Sequence, residues 1–168
     1  MYEVVIRRRE ATDLDACVEA LRAVHDADAY PLNWPTDPHR WLTPARLLRA
    51  WIAECPRGTI AGHVAVQRAP DATGNQMPSP GAELSRLYVT PAARRRGVAT
   101  ALLHRARSWA AEHRHQLTLN VTDDRRSAAV AFYEADGWRH SHTEDADWTT
   151  PDGTPVKLRH YVLGGEER

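Results

Sequence analysis

Polar and apolar positions alternate over residues 2–8. Apolar positions then fall at Leu14, Cys17, Val18, Leu21 and Val24, a change of period that predicts a strand followed by a helix. Thr12 or Asp13 supplies the oxygen that caps the helix start. Residues 29–44 hold four prolines and two tryptophans without a clean period, so they read as an irregular loop, with a short helix expected at 45–50. Residues 51–54 and 59–68 read as two strands of a hairpin that turns at Cys55-Pro56-Arg57-Gly58. A stretch rich in Pro, Gly and Asn, residues 69–81, then leads to a strand expected at 83–90.

The helical period returns at Val98, Ala101, Leu102, Ala106, Trp109 and Ala110, which predicts a helix over 98–113, followed by a strand at 116–121. A second amphipathic helix is expected at 126–136 and strands at 138–144 and 156–163, with Pro151-Asp152-Gly153 turning the chain between them. No repeat or low-complexity tract appears. At 168 residues the chain can bury one good core and is short for two, so a single domain over 1–168 is expected.

Charge and cysteine content remove several classes of function. With 22 basic and 22 acidic side chains the net charge is +0, so no global field draws the chain to nucleic acid or to an anionic membrane. Apolar runs stop well short of a membrane span and the opening segment MYEVVIRRREATDL has no secretion-signal core, so a cytoplasmic protein is expected. Cys17 and Cys55 lie far apart with no Cys-x-x-Cys, which points to reduced thiols rather than a disulfide framework or zinc knuckle. His140-x-His142 places two imidazoles on one strand face, but no third ligand is in view, so no metal is expected.

Local charge is more informative. Arg94-Arg95-Arg96-Gly97-Val98-Ala99 lies between the strand at 83–90 and the helix at 98–113, so its backbone N–H groups open that helix. Such groups have no intrahelical acceptor and sit at the positive end of the macrodipole, an arrangement suited to a diphosphate. There is no Gly-x-x-x-x-Gly-Lys-Ser/Thr pattern for a nucleoside triphosphate, and one short basic run on a neutral chain is a poor nucleic-acid surface.

Arg94-x-x-Gly97-x-Ala99 resembles the acyl-CoA-binding motif of the GCN5-related N-acetyltransferases (GNAT superfamily). Downstream, the helix ending Phe132-Tyr133-Glu134-Ala135-Asp136 before Gly137-Trp138 is similar to the second signature of that family. The resemblance implies an α/β fold with a mixed, mostly antiparallel sheet, in which the parallel fourth and fifth strands splay apart to admit the pantetheine arm of acetyl-CoA. It implies acetyl transfer from acetyl-CoA, as cosubstrate, to a primary amine.

Residue by residue, the resemblance assigns main-chain groups of Leu87, Tyr88 and Val89 to the acetyl carbonyl and pantetheine amides. The turn Arg94, Arg95, Arg96, Gly97, Val98, Ala99 and Thr100 falls to the diphosphate, with Arg95 and Arg96 either reaching the 3'-phosphate or simply solvated. Glu83 stands where histone-type members carry a general base, and its plain alternative is an exposed strand-end glutamate. Tyr133 stands where the family tyrosine protonates the departing thiolate, and its alternative is a packed aromatic. Many relatives have asparagine where this chain has Arg126; either Arg126 binds phosphate, or Asn120 or Asp123-Asp124 takes over.

For the acceptor, Trp34, Asp37, His39 and Trp41 of the early loop, Ser85, Asn120 and Trp148 are candidates beside Glu83, because an indole face near a carboxylate suits a small cation. A small-molecule amine is the expected partner. A catalytically silent acyl-CoA-binding module, or transfer of another acyl group or to a protein amine, is the alternative. Trp138, Trp148 and Tyr161 on the terminal hairpin suggest apolar surface for a homodimer.

Overall fold

In a computed structural model, which describes residues 3–69, 81–122 and 128–163, the sheet has seven strands. Along the chain come β1 (Val5–Arg8), α1 (Leu14–Asp28) entered through a 3-10 turn at Ala11–Asp13, α2 (Pro38–Leu42), β2 (Leu47–Glu54), β3 (Ile60–Arg68) and β4 (Gly81–Val89). After these come α3 (Val98–Glu112), β5 (Gln116–Thr122), α4 (Ala128–Ala135), β6 (Trp138–Thr149) and β7 (Pro155–Leu163). The strands lie in the order β1-β2-β3-β4-β5-β7-β6 and pair antiparallel except for β4 with β5, which run parallel.

Each face of the sheet carries its own helices, because alternate strand residues point to opposite sides. On one, the α1 face, Cys17, Ala20, Leu21 and Val24 of α1 pack with Leu42, Ile52, Ile60 and Tyr88. On the other, the α3 face, Leu102, Leu103, Ala106 and Tyr133 pack with Trp51, Val64, Val66, Leu84, Leu117 and Leu119. The start of α1 is fixed by charge: Asp13 accepts from the Glu10 N–H at 2.7 Å and from both terminal nitrogens of Arg7, which also reaches Glu54 at 2.8 Å.

Two expectations are corrected. The helix expected at 45–50 is the beginning of β2, whose residues pair with β3 from Leu47↔Gln67 onward; sheet pairing outweighs the helix propensity of Leu, Ala and Arg. The short helix lies earlier, at Pro38–Leu42, where Asp37 accepts from the Arg40 N–H at 3.1 Å and Pro38 takes the first turn. The aromatic surface expected on the terminal hairpin is also missing in large part: Trp138 and Tyr161 are buried and only Trp148 is exposed, so the argument for a dimer loses its support.

The α3 helix approaches the sheet most closely at Gly62 on β3. A Cβ there would stand 2.9 Å from Leu102 Cδ1, 2.9 Å from the Tyr88 carbonyl oxygen and 3.2 Å from Val98 Cγ1. Glycine therefore sets the distance between β3 and the first turn of α3. Gly62→Ala is expected to lower the unfolding free energy by about 1–3 kcal/mol, the usual cost of overpacking. Urea denaturation checks this, and an unchanged midpoint would mean that α3 can shift freely.

Candidate functional site

β4 loses its parallel neighbour a third of the way along. Only Gly81↔Gln116, Ala82↔Leu117 and Glu83↔Thr118 pair, after which β5 continues against β7 while β4 continues against β3. From Leu84 to Val89 one edge of β4 has no strand beside it among the described residues, which leaves main-chain groups available to an extended ligand. Main-chain groups of Leu87, Tyr88 and Val89 lie in this stretch.

Within the same stretch β4 carries an extra residue. His63↔Tyr88 and Ala65↔Ser85 bracket three steps on β4 against two on β3, and Arg86 takes a φ of 51°. The bulge reverses the facing of the strand: Leu84 packs on the α3 face, whereas Tyr88 packs on the α1 face and donates its hydroxyl to the Cys17 carbonyl at 2.9 Å.

His63, wholly buried, holds the bulge. Its ring stacks on Tyr88 at 5.2 Å, Nδ1 is 2.8 Å from the Arg86 carbonyl oxygen, and Nε2 is 2.9 Å from an Arg9 nitrogen. Arg9 can only donate, so Nε2 is the acceptor and Nδ1 carries the proton given to Arg86. Burial and the nearby guanidinium groups of Arg9 and Arg86 push the imidazole down to about 3, so it is neutral. The Arg86 side chain lies over the Trp41 ring at 4.5 Å and donates Nε to the Trp41 carbonyl at 3.1 Å.

At the C-terminal end of β4 a cleft of about 240 Å³ opens, lined by Val89, Ala93, Arg94, Arg95, Gly97, Val98, Ala99, Thr100 and Phe132. Gly97 precedes α3 with φ 77°, and a Cβ placed on it meets no heavy atom within 4 Å. Arg95 also has positive φ, 62°, so the turn directs its backbone outward around open space. Val98 lines the cleft and is otherwise buried. Arg94 pairs with Asp28 at the end of α1 and lies 3.4 Å from the Val89 carbonyl oxygen.

Glu83 and Tyr133 approach the parting strands from opposite faces. Ala82 and Leu84 point to the α3 face, so Glu83 points to the α1 face, where Gln67 donates to Oε1 at 2.8 Å and Asn120 faces Oε2 at 3.4 Å. Ser85 shares that side, and its hydroxyl is buried without a partner among the described residues. Tyr133 is buried on the α3 face between Phe132 and Trp138, with ring centroids at 5.4 and 6.0 Å. Burial raises its phenol well above the usual value, so it keeps its proton. Its hydroxyl makes no hydrogen bond to another described residue.

Of the acceptor candidates, the structure brings together Glu83, Ser85 and Asn120 on one face, and gives the others local tasks. Asp37 caps α2, His39 pairs with Asp15 at 2.8 Å, Trp34 packs against His25 and beneath Arg22, and Trp41 packs against Tyr30. Trp148 is exposed on β6 beside Thr149, whose carbonyl accepts from Asn33 at 2.9 Å, so the early loop touches the terminal hairpin. Arg126, with Asp123 and Asp124, lies outside the described residues. His140 and His142 diverge at a register shift: His140 meets Tyr161 edge-on and His142 stacks on His160. Sequence reasoning missed Phe132, His63 and Gly62. A glycine within the apolar strand IAGHVAV was the available sign for Gly62.

The acetyltransferase (GNAT) family model matches residues 15–138. The chain belongs to this family. Among solved structures, the ribosomal-protein-S18-alanine N-acetyltransferase from Escherichia coli superposes with a TM-score of 0.71 at 22% identity, over 99% of each chain. NAA60 of Arabidopsis thaliana, solved with a bisubstrate analogue, gives 0.75 at 15% identity over 96% of this chain and 98% of its own. yncA from Salmonella typhimurium, solved with acetyl-CoA, gives 0.74 at 18% identity over 98% and 95%. No curated protein matches the sequence significantly. The chain is thus a GNAT acetyl-CoA-dependent N-acetyltransferase with a mixed sheet of the family's architecture. Among the described residues no helix is long and apolar enough to cross a membrane.

The buried His63 gives this acetyltransferase a pH-dependent stability. Between about 6.5 and about 3 the unfolded imidazole binds a proton that the folded one does not, so stability is full above 6.5 and falls as the pH drops through that window. The expected slope approaches about 1.4 kcal/mol per pH unit. Urea unfolding at about pH 7, above the window, and at about pH 5.5 and 5, inside it, measures the slope. In His63→Leu this slope is expected to flatten, and an equal slope in both proteins would contradict a neutral, buried His63.

Proposed function

We propose that the acetyltransferase moves the acetyl group directly from acetyl-CoA to the primary amine of a small molecule, as one domain over residues 1–168. The observation that carries this reading is the parting of β4 from β5 just beyond Glu83↔Thr118, with Glu83 on one face and Tyr133 on the other. Acetyl-CoA supplies an acyl thioester already activated toward amines. The residues fit it: Gly97 borders open space at a helix start, and the free edge of β4 leads from that turn toward Glu83.

In this reading the turn from Arg94 to Thr100 binds the diphosphate through the N–H groups of Gly97, Val98 and Ala99, the Thr100 hydroxyl and the side chains of Arg95 and Arg96. Arg94 braces the turn through Asp28. Main-chain groups of Leu87, Tyr88 and Val89 line up the pantetheine and fix the acetyl carbonyl. Glu83, oriented by Gln67 and Asn120, takes the amine proton directly or through a water, and Ser85 offers its unpartnered hydroxyl to the acceptor. Tyr133 gives its proton to the departing thiolate. Burial disfavours a thiolate formed beside the phenol as it disfavours the phenolate.

No covalent enzyme intermediate is involved. Cys17 is buried, and burial pushes its thiol up to about 12, which leaves it without the thiolate a carrier needs. The small acceptor is supported by the Asn33 contact to Thr149, which ties the early loop to the hairpin. A peptide amine is the second reading, favoured by the likeness to the ribosomal-protein-S18-alanine enzyme.

Calorimetric titration with acetyl-CoA tests the cradle. Gly97→Glu projects a carboxylate into the open space and is expected to weaken binding more than tenfold, above about 1.4 kcal/mol, while the left-handed φ of 77° lowers the unfolding free energy by about 1–2 kcal/mol and leaves the protein folded. Equal affinity in wild type and variant would remove the turn from the site. Thiol-release kinetics over small amines and alanine-initiated peptides then test the acceptor, and faster turnover of peptides would replace the small-molecule reading. With the preferred acceptor, Tyr133→Phe is expected to lower kcat on the order of 100-fold while leaving stability and the KM for acetyl-CoA nearly unchanged. An unaltered kcat would reduce Tyr133 to packing.

A further inference from the structure

We propose that His142, Glu144 and His160 form a binding site for a divalent transition-metal ion of the zinc class on the α1 side of the terminal hairpin. One donor atom from each residue lies within 4.8 Å of the other two. His142 and Glu144 are two apart on β6 and share a face, and His160 stands directly across from His142 on β7. Two imidazoles and a carboxylate make a donor set that suits zinc with a fourth position open.

Hydrogen bonding around the rings prepares them for an ion. The Ser141 hydroxyl donates its one proton to the His160 carbonyl at 3.2 Å, so at its 3.0 Å contact with His142 Nδ1 it must act as acceptor. His142 therefore carries its proton on Nδ1 and presents Nε2 as a lone pair, the tautomer that an outer hydrogen bond normally fixes in a metal-ligating histidine. His160 Nε2 already faces Glu144 Oε1 at 2.7 Å. An ion replaces the proton held between those two atoms and releases it to solvent.

Donors of a tetrahedral ion stand about 3.3–3.6 Å apart, so His160 and Glu144, now 2.7 Å apart, must open slightly while His142 draws in from within 4.8 Å of both. The rings of His142 and His160 are stacked at 4.3 Å and 6°, and their in-plane lone pairs converge only once one ring turns. β6 is the edge strand and His142 is exposed, so that ring has room to turn. The occupied site cross-links the two arms of the hairpin. It lies next to Asn120, the register partner of His160, and needs neither acetyl-CoA nor an acceptor.

The test is calorimetric titration of Zn²⁺ into the untagged full chain, with Co²⁺ as a spectroscopic probe of tetrahedral coordination. One equivalent is expected to bind. His142→Ala and His160→Ala should each weaken it more than about tenfold, Ser141→Ala by about tenfold through the lost outer contact, and His104→Ala on α3 not at all. Zn²⁺ should also raise the unfolding temperature of the wild type and not of His160→Ala. No binding by a folded wild type, or binding that survives both histidine changes, would overturn the proposal.

Discussion

β4 has to satisfy two neighbours that make opposite demands. On one side it must stay paired with β3 for the sheet to hold, and on the other it must let go of β5 for its edge to be reached. The bulge at Arg86 is where these demands meet, and a left-handed arginine there is tolerated only because the surroundings hold it. His63 supplies that hold by accepting from Arg9 and donating to the Arg86 carbonyl. Arg9 in turn donates to the Leu42 carbonyl and the Thr43 hydroxyl, so the bulge, the end of α2 and β1 are joined through one buried ring.

The other fixed distance is between β3 and α3. Because Gly62 leaves no side chain in the way, the first turn of α3 sits close against the sheet, next to the Tyr88 carbonyl at the end of β4. The start of that helix and the exposed edge of β4 are consequently parts of one rigid unit. A cosubstrate lying along β4 and ending at the helix start spans two elements whose spacing is set by packing rather than by the loop between them.

What was legible in the sequence was mostly local. The Arg94 to Ala99 turn, the signature around Tyr133 and the order of elements could be read because turn chemistry and period are written in neighbouring residues. The segment before β2 was misread because Leu47, Leu48, Arg49 and Ala50 favour a helix when considered alone, and only their partners on β3 make them a strand. Asp37-Pro38 carried a helix start that the density of prolines obscured. The Arg9, His63 and Arg86 linkage joins residues distant in sequence, so no local pattern announced it. For the same reason no local pattern showed that Trp34 and Trp41 of the early loop pack against the α1-side cluster.

The two faces of the sheet suggest how a single opening can serve both halves of a transfer. In the proposed transfer Glu83 and Tyr133 act from opposite sides, and the plane of the sheet keeps them apart. Glu83 sits among polar partners, Gln67 and Asn120, while Tyr133 sits in an aromatic cluster whose burial favours the protonated phenol. On the proposed mechanism the amine enters from the polar side and the sulfur stays on the apolar side. That division is set up by strand alternation alone, since residues 82 and 84 must face α3 and residue 83 must not.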